Sequence, residues 1–165
     1  MAQVNGIDVD ELRAYVASAE RDVEVADRDP VVVARWAGGD RAEVAFASGE
    51  APVFVGGPGG PSAMKMVLAS LAACDVDLVV NRAAPGVEID SLIVEATGHF
   101  NVRRYLGFDA AAAPGYERIA YVVRLKTRGG TLGQLAELHQ ACEQASPVGD
   151  TLQRPVALSL RFDAS

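Results

Sequence analysis

The stretch from Gly60 to Cys74 reads GPSAMKMVLASLAAC, and it predicts the central element of the fold. Ser62 is a suitable N-cap for a helix that we expect to run from about Ala63 to Asn81. The run from Met66 to Cys74 is apolar on nearly every side, which indicates a helix buried in the middle of a fold rather than one lying on its surface. The same run is too short to cross a bilayer.

The composition around this stretch is that of a folded, acidic protein. Of 165 residues, 50% are hydrophobic and 22% are charged, which is enough apolar material for a core, and we predict a single domain over residues 1–165. The 22 acidic and 15 basic residues give a net charge of −7 without a basic block, which disfavours binding to nucleic acid or to an anionic membrane. The N-terminus has neither a basic region nor an apolar signal core, so we expect a cytoplasmic location.

Cysteine and histidine usage limits the possible cofactors. The two cysteines, Cys74 and Cys142, are too few for a disulfide scaffold, and in a reducing compartment they are either buried thiols or redox-active groups. The two histidines, His99 and His139, are far apart in the sequence, which argues against a zinc site built from Cys and His. The glycine-rich loop at 56–61 lacks the pattern of a phosphate-binding loop. We therefore predict no metal and no cofactor.

A further helix is predicted near the N-terminus, over residues 8–22. Asp8, with Glu11 three residues later, fits a capping box. The residues that follow form one apolar stripe, made of Val9, Leu12, Val16 and Ala19.

Strands are predicted on both sides of the central helix. Three short ones, at 31–36, 41–47 and 52–55, are separated by turns, and their spacing favours an antiparallel meander. A long strand follows at 87–100, with a bulge near Asp90 where the apolar alternation changes phase.

The C-terminal half is predicted to add two strands and a helix. The strands lie at 116–127 and 155–162, and the apolar residues of the second, Val156, Leu158, Leu160 and Phe162, are expected to face inward. Between them a helix begins at Thr131, where Gln134 completes a capping box, and Pro147 ends it. Because strands and helices are segregated along the chain, the fold class is α+β with mostly antiparallel pairing.

Cys74 is the first candidate for chemistry. It shares a stripe of the central helix with Val67, Leu71 and Leu78, and a small core residue is one interpretation of it. A reactive thiolate is the other. A cysteine in the middle of a helix gains nothing from a helix N-terminus, so a basic group from another element must then stabilise its charge.

Other residues near these helices are also candidates. Cys142 lies on the apolar stripe of the second helix, one turn before Ser146, and is either a core residue or a partner of Cys74. Asp75 and Asp77 are expected to mark where the central helix emerges towards solvent or a subunit interface. Two basic residues, Arg35 and Arg41, flank the first predicted turn of the meander.

Two stretches together resemble the OsmC/Ohr family of thiol peroxidases. GPSAMKMVLASLAAC (residues 60–74) is similar to the family's glycine-led start of the central helix, which ends in the reactive cysteine. ASPVGDTL (residues 145–152) is similar to the family's end of the second helix, usually Cys-Pro-Val-Ser-x-Thr-Leu, and the predicted strand at 155–162 follows it. The order of elements agrees from about residue 30 to 165, and the helix at 8–22 looks like an addition to that family core.

The resemblance implies an architecture and a set of roles. Antiparallel sheets would pack around a buried central helix, and two chains would form an interlocked homodimer with two equivalent sites at the interface. Cys74 matches the cysteine that attacks an organic hydroperoxide. Ser146 matches the second cysteine, which resolves the first, and a dithiol such as a lipoyl group would be the reductant.

The remaining site positions follow from the same resemblance. The arginine that supports the thiolate falls near Arg41, with Arg35 as the alternative, and the acidic residue at the start of the central helix falls at Met64 or Lys65. A serine cannot form a disulfide, so the resolving cysteine is atypical or missing. Cys142 could replace it if its Cα comes within about 7 Å of that of Cys74.

Three functions fit these residues. The first is a thiol-dependent peroxidase that reduces small organic hydroperoxides through Cys74, with Arg41 and Cys142 as the other site residues. The second is a non-catalytic dimer of the same fold that binds a hydrophobic small molecule at the interface. The third is a structural domain with two inert thiols.

Overall fold

The computed structural model describes residues 3–164, and these begin with a short hairpin. Strands β1 (Gln3–Val4) and β2 (Ile7–Asp8) pair antiparallel across the turn at Asn5 and Gly6. Both turn residues have positive φ, 54° and 81°, the geometry of a tight hairpin turn for which an Asn-Gly pair is well suited. Helix α1 (Val9–Arg21) follows directly, and the Asp8 side chain accepts hydrogen bonds from the N–H groups of Asp10 and Glu11, so the predicted acidic cap is present.

A three-stranded antiparallel sheet comes next, in the order predicted from the turns. It consists of β3 (Val32–Trp36), β4 (Ala42–Phe46) and β5 (Val53–Val55), with β4 in the middle. Every residue of β3 is exposed, and Trp36 keeps 81% of its surface accessible. Within the described residues this sheet is therefore largely uncovered.

Helix α2 (Ala63–Ala83) has Ser62 as its N-cap, and the Ser62 hydroxyl accepts a hydrogen bond from the N–H of Lys65. The burial of the helix differs from the prediction. Only one stripe is fully buried, with a spacing of four residues: Leu71, Asp75, Val79 and Ala83. The other faces of the helix are half-buried or exposed within the described chain. The expectation that Asp75 emerges towards solvent or an interface is wrong, since this residue is 0% exposed inside the single chain.

The second sheet is a long antiparallel pair, β6 (Glu88–Phe100) and β7 (Tyr116–Arg128). The pairing moves from Ile89↔Thr127 to Ser91↔Lys126, which leaves Asp90 unpaired and confirms the predicted bulge. The residues that join α2, the sheet and α3 form the buried core: Ala83, Val87 and Leu138, with Ile89, Leu125 and Leu135 packed around them.

Helix α3 (Leu132–Ala145) has the predicted capping box, in which Thr131 and Gln134 exchange side-chain-to-backbone hydrogen bonds. Its end differs from the prediction. Ser146 has an extended conformation, and Pro147 is the first residue of a further short helix, α4 (Pro147–Gln153), rather than only a stop signal. A proline at the first helical position is favourable because its missing N–H would be unpaired there in any case.

The predicted C-terminal strand is absent from the described chain. Residues 155–164 have no regular structure, and the apolar side chains expected to face inward are exposed, at 94% for Leu158, 89% for Leu160 and 84% for Phe162. A strand needs a hydrogen-bonding partner, and no described strand of the same chain pairs with this segment. Among residues 3–164, no helix is both long and apolar enough to cross a membrane.

Candidate functional site

Cys74 and Ser146 meet where α2 passes the junction of α3 and α4. The Ser146 hydroxyl donates a hydrogen bond to Cys74 Sγ over 3.8 Å. Ser146 is 3% exposed, whereas Cys74 is half-buried and therefore accessible. A hydrogen-bond donor beside a sulfur stabilises negative charge on it. The arrangement thus has two parts of a reactive thiol site, an accessible sulfur and a fixed donor.

The Ser146 hydroxyl is fixed by the start of α4. Its oxygen accepts a hydrogen bond of 3.2 Å from the N–H of Gly149, which is the ordinary N-cap contact. Gly149 leaves room for the serine, because a Cβ there would lie 3.0 Å from Ser146 Oγ and 3.1 Å from Ser146 Cβ and would require the serine to shift by a few tenths of an ångström. The Ser-Pro-Val-Gly sequence therefore sets the position of the hydroxyl relative to Cys74.

Cys74 lines a cleft of about 1160 Å³ that separates α1 from α2 and α3. The lining includes apolar side chains on both sides, among them Leu12 and Val16 of α1, Leu78 of α2 and Leu138 of α3. Charged residues of both signs also line it: Arg13, Glu20, Asp77, Arg82 and Glu137. A cleft of this size can hold a small organic molecule beside the sulfur.

Cys142 occupies a different environment from Cys74. It is buried, at 6% exposure, and it is not part of the lining of the cleft. The pKa of the Cys142 thiol is raised mainly by burial and to a smaller extent by the nearby Asp75 carboxylate. A raised pKa lowers the thiolate fraction at neutral pH and makes Cys142 a weak nucleophile.

Asp75, Tyr121 and Cys142 form a buried polar cluster that sequence reasoning missed. Neither carboxylate oxygen of Asp75 has a hydrogen-bond partner within residues 3–164. Burial and then the charge of Asp75 raise the pKa of Tyr121, whose hydroxyl donates to the carbonyl oxygen of Cys142 over 3.5 Å. The sequence signal was present, since Asp75 continues the buried i, i+4 stripe that begins at Leu71.

The two candidate arginines lie on the exposed meander. The Arg41 guanidinium is stacked over the ring of Phe54, with 4.0 Å between the guanidinium carbon and the ring centroid. Arg35 is exposed in β3, opposite Glu43. Neither side chain lines the cleft at Cys74 within the described chain. One chain therefore brings Cys74 and Ser146 together without an arginine from the meander.

The start of α2 has no acidic side chain in its first turn. The carbonyl of Met64 accepts a hydrogen bond of 2.7 Å from the Tyr116 hydroxyl, and Lys65 is exposed. Among the residues the structure describes, no group of three or more His, Cys, Asp or Glu side chains could hold a metal ion.

The α+β fold, with its antiparallel sheets and helices, agrees with the comparisons with known proteins. The family model described as "OsmC-like protein" matches residues 56–161, more than half of the chain. The protein therefore belongs to the OsmC-like family. No curated protein matches this chain at a significant level.

Solved structures of the family share the fold at low sequence identity. An OsmC-like protein from Mycoplasma pneumoniae has a TM-score of 0.62 at 17% identity, over 77% of this chain and 89% of that chain. An OsmC-like protein of unknown function from Vibrio cholerae has a TM-score of 0.60 at 12% identity, over 76% and 94%. The organic hydroperoxide resistance protein OsmC from Legionella pneumophila has a TM-score of 0.52 at 13% identity, over 76% and 90%. At such identities the likeness concerns the fold alone.

Proposed function

We propose that the protein is a thiol-dependent peroxidase that reduces small organic hydroperoxides through Cys74. The observation that carries the proposal is the accessible Cys74 sulfur, hydrogen-bonded by Ser146 at the edge of an apolar cleft. The thiolate attacks the outer peroxide oxygen, the O–O bond breaks, and the departing alkoxide takes up a proton to become an alcohol. Cys74 is left as a sulfenic acid.

The walls of the cleft favour an organic substrate over hydrogen peroxide. Apolar side chains such as Leu78 and Leu138 lie along the cleft with Cys74, and they can bury the organic group of a hydroperoxide. Hydrogen peroxide has no such group and gains nothing from these contacts.

The second half-reaction requires an external thiol, because Ser146 stands where the family has its resolving cysteine. A dithiol, such as a lipoyl group, fits this need. One of its thiols condenses with the sulfenic acid, releases water and forms a mixed disulfide with Cys74. Its other thiol then displaces Cys74, which returns as a thiol while the reductant closes to a cyclic disulfide.

Cys142 is the alternative resolver within the chain. It lies one turn before Ser146 on the same helical face, so a shift of α3 could bring it towards Cys74. Its raised pKa disfavours this role, because the resolving group must attack as a thiolate. Reduction of the Cys74 sulfenic acid by an external dithiol is thus better supported than its resolution by Cys142.

An interlocked homodimer, with one domain per chain and the family core at about 30–165, is part of the proposal. Two apolar surfaces within one chain lack cover: the meander of β3, β4 and β5, and the alternating segment at 155–164. A second copy could supply pairing for both, and it could bury α2 on the faces that one chain leaves open. In such a dimer Arg41, from the meander of one chain, would support the Cys74 thiolate of its partner.

Peroxide consumption with dihydrolipoamide as reductant tests the proposed reaction. We expect the wild-type protein to consume cumene hydroperoxide and the Cys74→Ser variant to lose this activity, while Cys142→Ser retains most of it. Equal rates for the wild-type and Cys74→Ser proteins would contradict the proposal.

A non-catalytic dimer that binds a hydrophobic small molecule is the second candidate. The acidic residue expected at Met64 or Lys65 is missing, which removes one support of the thiolate while leaving the apolar cleft intact. Mass spectrometry after substoichiometric cumene hydroperoxide separates the two functions. Oxidation of Cys74 to a sulfenic acid supports the peroxidase, and an unmodified Cys74 supports the binding protein.

A further inference from the structure

The N-terminal helix lies outside the family match yet forms one side of the cleft that contains Cys74. The match covers residues 56–161, whereas α1 spans Val9–Arg21. Leu12 and Val16 line the cleft from α1, opposite Leu78 and Leu138. Val16 is nevertheless 46% exposed, so the two sides do not close against each other.

The side chain of Asn5 fastens this N-terminal unit to the core. Its Nδ2 donates to the carbonyl oxygen of Val87 over 2.9 Å, and its Oδ1 accepts from the N–H of Ile89 over 2.8 Å. The amide therefore pairs with the beginning of β6 through both of its polar ends, much as a neighbouring strand would. The positive φ of Asn5 belongs to the hairpin turn between β1 and β2.

The buried residue Val9 continues this attachment into the first turn of α1. Val9 is 5% exposed, whereas the next apolar positions along the stripe, Leu12 and Val16, are progressively more open. The helix is thus attached to the core at its N-terminal end, through Asn5 and Val9, and stands away from α2 further along. This geometry keeps an apolar helix face at a distance from the core without filling the space between them.

We propose that α1 is a wall of the substrate site, that Leu12 and Val16 select hydroperoxides with a bulky, uncharged apolar group, and that Asn5 positions this wall. The inference rests on the proposed peroxidase function, since it concerns the same site. An uncharged hydroperoxide is favoured over an anionic one, because the charged lining contains three acidic residues, Glu20, Asp77 and Glu137, against two basic ones, Arg13 and Arg82. An anionic ligand would meet net repulsion there.

The proposed role of α1 is tested by the selectivity of the protein for a bulky hydroperoxide over hydrogen peroxide. We compare kcat/KM for cumene hydroperoxide with kcat/KM for hydrogen peroxide in the wild-type, Val16→Gln, Leu12→Gln and Asn5→Ala proteins. Each variant is expected to lower the ratio about tenfold, because an apolar contact with the bulky group is lost or displaced. Ala14→Gln is the matched control, since Ala14 is exposed on α1 and does not line the cleft, and its ratio should equal that of the wild type.

A binding measurement separates a failure of this inference from a failure of the proposed reaction. The unreactive alcohol 2-phenyl-2-propanol, the product of cumene hydroperoxide reduction, is titrated by calorimetry into the Cys74→Ser protein with and without Val16→Gln. Weaker binding in the double variant supports the wall even if no peroxidase activity exists.

Three outcomes would overturn the inference. They are equal alcohol binding with and without Val16→Gln, an unchanged selectivity ratio in all three variants, or conversion of a dimer to a monomer by Val16→Gln. The last result would mean that a second copy of the chain, rather than substrate, occupies the cleft. Circular dichroism of each variant checks that α1 remains helical.

Discussion

The Ser146 hydroxyl lies 3.8 Å from the Cys74 sulfur, at the position where the family resemblance places a second cysteine. The serine is buried, and its oxygen accepts a hydrogen bond from the N–H of Gly149, so its position beside Cys74 is well defined. Under the proposed function, the site has one thiol, Cys74, beside a hydroxyl at the position where the resemblance implies a second thiol. Two substitutions at position 146 can test separately how close this side chain lies to Cys74 and what its hydroxyl does to the reactivity of the thiol.

Ser146→Cys should restore a disulfide. The Ser146 oxygen already lies 3.8 Å from the Cys74 sulfur, and a disulfide requires the two sulfur atoms to approach to about 2.05 Å. On addition of one equivalent of cumene hydroperoxide, we expect the variant to lose two hydrogen atoms by mass spectrometry and to become resistant to dimedone. The wild-type protein should form the dimedone adduct of a sulfenic acid instead. An unbridged Cys74 in the oxidised variant would show that the two positions do not meet in solution.

Ser146→Ala should slow the reactions of Cys74. Loss of a hydrogen bond to a partly exposed charged sulfur is expected to lower the rate of alkylation by iodoacetamide at neutral pH about three- to tenfold. Ser146→Thr retains the hydroxyl and serves as the control. Because the alanine also removes the N-cap of α4, we expect a loss of about 1 kcal/mol in the free energy of unfolding. An alkylation rate equal to that of the wild type would show that the Ser146 hydroxyl does not influence the reactivity of Cys74.

Asp75→Asn should stabilise the protein. The carboxylate is buried and its oxygens have no hydrogen-bond partner within the described residues, so a neutral group of the same shape is expected to raise the free energy of unfolding by about 1–3 kcal/mol. The variant should also lower the pKa of Cys142, since the Asp75 charge contributes to raising it, and Cys142 should then be alkylated faster. Urea denaturation and peptide mapping measure the two effects. A less stable variant would indicate that the carboxylate accepts a hydrogen bond from the neighbouring Tyr121 hydroxyl.

The cluster around Asp75 predicts an alkaline loss of stability. Burial raises the pKa of Cys142 above its ordinary 9.0 and that of Tyr121 above its ordinary 10.0. The folded state therefore keeps both protons at pH values where the unfolded chain releases them. Their contribution to stability is complete below the ordinary values and decreases as pH rises through them.

Urea denaturation at about pH 8 and at about pH 10.5 measures this decrease. We expect a smaller decrease in the Tyr121→Phe and Cys142→Ala variants than in the wild-type protein. Identical decreases in all three proteins would assign the effect to groups outside the cluster.

The exposed C-terminal segment predicts a concentration-dependent assembly. Deleting residues 155–165 removes the exposed side chains of Leu158, Leu160 and Phe162, and we expect it to convert a dimer to a monomer or an aggregate. Light scattering coupled to size-exclusion chromatography measures the mass. Arg161→Ala, in the same segment, removes an exposed charge without removing apolar surface and should leave the mass unchanged. A monomeric wild-type protein would contradict the proposed dimer.

Local signals in the sequence predicted local structure well. The Thr131 and Gln134 pair located the start of α3, and the phase change near Asp90 located the bulge, because both depend only on neighbouring residues. The relation between Cys74 and Ser146 followed from the family resemblance. The predicted strand at 155–162 failed for a different reason, since alternation describes a side-chain pattern and not the presence of a partner strand.

Burial was the least predictable property. Asp75 is fully buried although its charge suggested the surface, and the other faces of α2 are half-buried or exposed although most of their residues are apolar. The i, i+4 spacing of Asp75 from Leu71 was a sequence signal for its burial, but its contact with Tyr121 and Cys142 could not be foreseen. Such contacts join residues that are remote along the chain, and the spacing of residues within one helix or strand does not predict them.

The attachment of Asn5 to Val87 closes a loop between residues that are 82 positions apart. One amide side chain and one buried valine contribute few contacts against the entropy of closing so long a loop. The N-terminal unit should therefore open at a lower free energy than α2 or α3, while the remainder stays folded. In hydrogen exchange, the amides of α1 should lose their protons well before those of the central helices.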